Sequence, residues 1–92
     1  MNPITAQEAH QFSTEKYKEL LELNIKFQLG DIYRIVRAQG KQGMFEASSP
    51  LKFWGNEFKE RLTQILESQG YIVKYNNTPV GEFIVVKWEN LK

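Results

Sequence analysis

Ninety-two residues, 41% apolar and 25% charged, suit one compact domain of ordinary globular balance and exclude wholesale disorder, a collagen-like repeat or a coiled-coil chain. The absence of cysteine removes disulfides, thiolate metal sites and cysteine nucleophiles together, and is compatible with a reducing cytosol. A net charge of +1 is well below that of a protein that coats DNA, so nucleic acid is a less favoured partner.

The first signal along the chain is Thr5-Ala6-Gln7-Glu8, a capping box in which an N-cap threonine and a glutamate three residues on satisfy backbone donors reciprocally. Ala9, Phe12, Tyr17, Leu20, Leu21, Asn24 and Ile25 then recur at three- and four-residue spacing, as an amphipathic helix requires. Ser13 and Thr14 weaken its middle and allow a kink. Gly30-Asp31 reads as a break, with glycine closing one helix and aspartate capping the next, a bent continuous helix being the alternative. Ile32, Ile35 and Val36 form the buried stripe of that second segment. Charge is uneven here: residues 1–25 sum to −2 and residues 26–45 to +3. Arg34, Arg37 and Lys41 fall near a helix C-terminus, where they oppose the dipole. With Gln42, and with Tyr75 or Trp88 alongside, they are also a candidate surface for a small anionic ligand or single-stranded nucleic acid.

Gly40-Lys41-Gln42-Gly43 is a turn, and Met44 to Ser48 alternates as a short strand, Phe45 and Ala47 facing inward. Ser49-Pro50 has the order of an N-cap and a first-turn proline, so the next helix is expected to start there. Leu51, Trp54, Phe58, Leu62, Ile65 and Leu66 give its core stripe, Trp54 included, and Gly70 ends it. Ser48, Ser49 and Lys52 at such a helix start, with Phe53 off the stripe, would suit an anion or nucleotide. An ordinary cap with a snorkelling lysine is the simpler reading. Tyr71–Tyr75 and Phe83–Trp88 form a hairpin, joined by a loop from Asn76 to Glu82. Ile84, Val86 and Trp88 share one face and Phe83 and Val85 the other.

The expected fold is therefore α+β: an N-terminal helix or helical pair, then β-α-β-β with a small three-stranded sheet packed on helices. If the first and second strands pair directly, they are parallel. The second sheet face, with Ile72, Phe83 and Val85, needs cover from the N-terminal helix, another copy or a partner, and a homo-oligomer is expected. Apolar runs no longer than Phe83–Val86 give no membrane span, and the N-terminus does not read as a signal peptide.

Catalytic patterns are weak. His10 lies among polar helix residues with nothing to orient it, and Glu57, Glu60 and Glu82 read as solvated charges. Neither a catalytic site nor a metal or cofactor is expected.

Thr5-Ala6-x-Glu8-Ala9, Ile32-x-x-Ile35-x-x-Ala38-x-Gly40, Leu66-x-x-x-Gly70-Tyr71-x-Val73 and the closing Val86-Lys87-Trp88 give a layout that resembles small uncharacterised accessory proteins of tailed bacteriophages. The layout spans nearly the whole chain; the Asn76–Glu82 loop and Lys87, where serine is common, depart from it. The resemblance implies a viral protein in the bacterial cytoplasm, either binding a host protein or host-made ligand or serving as a virion component.

Overall fold

The computed structural model describes residues 3–89. The element order is α1 (Ala6–Lys41), β1 (Glu46–Pro50), α2 (Asn56–Ser68), β2 (Ile72–Thr78) and β3 (Gly81–Lys87). This is the expected α+β class.

Thr5 caps α1 as its sequence demands, its hydroxyl accepting the Glu8 amide at 3.2 Å. The helix then runs unbroken through both weak points. Thr14 turns its hydroxyl back onto the His10 carbonyl at 2.7 Å, and Gly30 is helical and exposed. The expected break at Gly30-Asp31 does not form. Ile25, Gln28 and Ile32, at helical spacing across that glycine, are all buried. A mid-helix glycine costs about 1 kcal/mol, whereas burying Ile32 alone contributes about 1.5–3 kcal/mol. Asp31, instead of capping, pairs with Lys52 and Arg34.

β1 starts and ends later than its sequence suggests, and this moves α2. Ser49 and Pro50 pair with Ile84 and Phe83 of β3, so they end a strand and do not open a helix. The cap actually used is Gly55, at φ 109° and with no side-chain bond, a conformation open at little cost only to glycine. Trp54, expected in the core, therefore sits in the connection and is 88% exposed. Phe45, expected to face inward, precedes the strand and is 57% exposed. Phe58, Leu62 and Leu66 do form the buried stripe of α2.

The sheet order is β1-β3-β2, with β3 antiparallel to both neighbours. β1 and β2 thus run the same way without touching. The β2–β3 connection is tight: Thr78 pairs with Gly81, leaving Pro79-Val80 as the turn, and the Thr78 hydroxyl donates to the Gly81 carbonyl at 2.7 Å. Asn76, Asn77 and Glu82 belong to the strands, not to a long loop. Glu82 is tolerated on the helix side of β3 because Lys59 of α2 neutralises it.

Both helices cover the same sheet face. Ala47, Ile84 and Val86 from the sheet meet Ile25, Ile32, Phe58, Leu62 and Leu66 in one buried cluster. Helix α2 lies beside α1 and runs with it, stitched by Tyr17 to Glu57 at 2.8 Å, Arg61 to Glu22 at 3.3 Å and Tyr33 to Gln69 at 2.8 Å. The buried Gln28 ties α1 to the end of β1: its amide nitrogen donates to the Pro50 carbonyl at 3.1 Å, and its oxygen accepts the Lys52 backbone N–H at 3.0 Å. Its side chain thereby takes the place of a missing strand neighbour for β1.

Helix α1 exceeds this body. Tyr17 is level with the first turn of α2, so the preceding three turns, about 16 Å at 1.5 Å per residue, extend past it. The radius of gyration is 17.0 Å, against about 12 Å for a compact chain of this length.

Candidate functional site

Three regions bring sequence-derived candidates or new ones together. The first is the outer sheet face. Alternation along β3 sends Phe83, Val85 and Lys87 away from the helices. Phe83 lies between Pro50 and Asn76, Val85 between Ser48 and Lys74, and Lys87 between Glu46 and Ile72. Phe83 and Val85 are half-buried and Ile72 is exposed, so the expected trio does share one uncovered face. Lys87 reaches Glu46 across the strands at 3.5 Å. The result is a central apolar ridge with polar flanks.

The expected anion cradle does not assemble. Ser48 lies on the outer face and Ser49 is buried on the opposite one, facing the Gln28 amide. Lys52 is engaged by Asp31, and hydrogen bonding to that ammonium, with Arg34 adding to it, holds the Asp31 carboxyl below its ordinary value. Phe53 is not a free ring: it is half-buried and meets Phe58 edge-on at 5.6 Å. None of the four stands at a helix N-terminus, because strand pairing of Ser49 and Pro50 delays α2 to Asn56.

Arg34, Arg37 and Lys41 are exposed along the last turns of α1, and Gln42 is the C-cap, its N–H reaching the Gln39 and Gly40 carbonyls. The aromatic partners expected for them are committed elsewhere. Tyr75 bonds Thr63 and the Lys59 carbonyl of α2, and Trp88 packs edge-on against Tyr71 at 6.2 Å.

The second region is an open depression of about 430 Å³ between α2 and β2, lined by Asn56, Lys59, Glu60, Thr63, Gln64 and Tyr75. Lys59 lies 5.2 Å from the centre of the Tyr75 ring and also pairs with Glu82. Burial raises the Tyr75 phenol above its ordinary value. Glu57 accepts the Tyr17 hydroxyl, which pushes that phenol up as well. His10 is exposed on α1. Among the described residues no group of three or more His, Asp and Glu side chains could hold a metal ion, and no helix is long and apolar enough to cross a membrane.

The third region has no counterpart among the sequence-derived candidates. Phe12, Leu20, Leu23 and Phe27 are 61%, 44%, 46% and 58% exposed, although Phe12 and Leu20 read as core-stripe residues. With Ala9 and Gly30 they form a second apolar stripe on α1. It faces away from the buried one through Ile25, Gln28 and Ile32. Two periodicities are superposed on one helix, and a single-stripe reading merges them.

Together these features define a small α+β domain with a one-sided helical cover and two uncovered surfaces. No protein-family model matches the chain, and no curated protein or solved structure matches it.

Proposed function

We propose that this chain is a non-enzymatic binding protein of the bacteriophage accessory type, acting in the bacterial cytoplasm by holding a host protein, and working as an oligomer. The observation that carries the reading is the outer sheet face, where Phe83, Val85 and Ile72 have no covering element. Isolated apolar side chains on a surface are ordinary, but a ridge on the central strand of a sheet with polar flanks has the composition of a protein contact. The candidate carboxylates Glu57 and Glu82 are already engaged by Tyr17 and Lys59, which favours binding over acid–base chemistry.

The test is affinity capture from bacterial extract with the native chain and with Val85→Glu. Glutamate at this position lies opposite Lys74 and gains a cross-strand charge pair, so the fold tolerates it. The reading requires a host protein retained by the native chain, lost from the variant, and reproduced with that protein purified. Retention of a small anionic ligand alone, salt-sensitive retention of nucleic acid that depends on Arg34 and Arg37, or presence of the protein in purified phage particles would overturn it.

A further inference from the structure

We infer that the second apolar stripe of α1 is a dimer seam, and that its occupant is the same stripe of a second copy running antiparallel. The inference deepens the oligomeric part of the function proposed above and rests on it, but it uses a different surface from the outer sheet face.

A line of alternating three- and four-residue steps runs along this stripe through Ala9, Ser13, Lys16, Leu20, Leu23, Phe27 and Gly30 to Arg34, with Phe12 at its edge, so polar Ser13, Lys16 and Arg34 share the line with the apolar residues. This is the spacing by which one helix packs its side chains between those of another. Every one of these positions is exposed, and the body lies on the opposite side of the helix, so a second helix meets no obstruction from it.

Charge selects the direction. A parallel pair would set Lys16 against Lys16 and Arg34 against Arg34 of the copy, placing like charges face to face along the seam. In an antiparallel pair with its two-fold axis beside residues 21 and 22, Leu20 meets Leu23 of the copy. Lys16 then lies on the Phe27 ring of the copy, where a cation is attracted, and Arg34 meets Ala9. Along the flank, Glu19 faces Lys26 of the copy, and the two-fold repeats this pair. Within one copy, among the described residues, Glu19 pairs only with Lys16, in an exposed i,i+3 contact at 3.6 Å. The antiparallel orientation therefore sets no like charges face to face, whereas the parallel one sets Lys16 and Arg34 against their own copies and gains on its flanks only Lys26 against Asp31, a carboxylate already paired with Lys52 and Arg34.

Sedimentation equilibrium tests this on the full chain at concentrations up to about 100 μM, where an association with a micromolar dissociation constant is populated. The native chain should be a dimer and Leu23→Glu a monomer with unchanged circular dichroism. Glu19→Lys should raise the dissociation constant about tenfold, since two attractive pairs become repulsive. The double exchange Glu19→Lys with Lys26→Glu should restore it. A parallel dimer would not be restored, because glutamate at position 26 would then face Asp31 of the copy. A native dimer that Leu23→Glu leaves intact while Val85→Glu dissociates it would overturn the seam and keep the oligomer. A native chain that is monomeric throughout would overturn both.

Discussion

The replacement of Gln28 by leucine isolates one polar tie in an otherwise apolar contact between α1 and the sheet. Leucine has nearly the same volume and suits the helix, so neither packing nor propensity changes much. What is lost is the partner of the Pro50 carbonyl at 3.1 Å and of the Lys52 amide at 3.0 Å, besides a long 3.5 Å contact with the buried Ser49 hydroxyl that adds little. An unsatisfied donor or acceptor costs about 1–3 kcal/mol, and two of them about 2–6 kcal/mol. Burying leucine in place of the amide returns about 1.5–3 kcal/mol. The expected net loss is about 2 kcal/mol. At about 4–8 °C per kcal/mol for a domain of this size, the melting temperature should fall by about 8–16 °C. Urea unfolding followed by tryptophan fluorescence measures the same quantity. Gln28→Glu is the control: it keeps an acceptor for Lys52, loses the donor to Pro50 and adds a buried charge, so it should be less stable than Gln28→Leu. If Gln28→Leu lies within about 0.5 kcal/mol of the native chain, the amide does not hold β1 to the helix and the reasoning fails.

Phe53 and Trp54, adjacent in sequence, should behave oppositely on truncation. Phe53→Ala removes the edge contact with Phe58 and should cost about 1–3 kcal/mol, whereas Trp54→Ala, at an 88% exposed position, should stay within about 0.5 kcal/mol; denaturant midpoints of the two variants decide. For Asp31, whose carboxyl is held below its ordinary 3.8 by Lys52 and Arg34, the folded state favours the ionised form. Its contribution is complete above that ordinary value and is lost as pH falls through the lower folded one. The stability gap between the native chain and Asp31→Asn should therefore begin to narrow as pH falls below about 4 and close only below the lower folded value, and a gap that does not narrow with acid would refute the assignment.

The α+β class, the element order, the Thr5 cap and the Phe58–Leu62–Leu66 stripe were legible because each depends on local spacing or on one turn. Gly30 misled because its local cost is visible in sequence, whereas the burial of Ile32 that outweighs it is tertiary. Ser49-Pro50 misled for the same reason: the motif suits a helix start, but strand pairing with Ile84 and Phe83 claims it first. Of the candidate surfaces, the outer face through Phe83, Val85 and Ile72 followed from simple alternation. The anion cradle did not survive, since it depended on where α2 begins. Gln28 could have been found. It stands three residues after Ile25 and four before Ile32, inside the apolar stripe, and a polar residue there must find buried partners. The second stripe needed only a count of Leu23 and Phe27, which fit no single helical face with Ile25.

The middle place of the sheet belongs to β3, the last of the five described elements. Neither β1 nor β2 has a strand to pair with until it is made. The native partner of β1 is thus made only after α2 and β2, whereas β2 meets its partner across a two-residue turn, so one pairing of the sheet is local and the other spans most of the C-terminal half. A chain that ends before Gly81 lacks the one strand to which both others are hydrogen-bonded, and so lacks every native strand pair of the sheet.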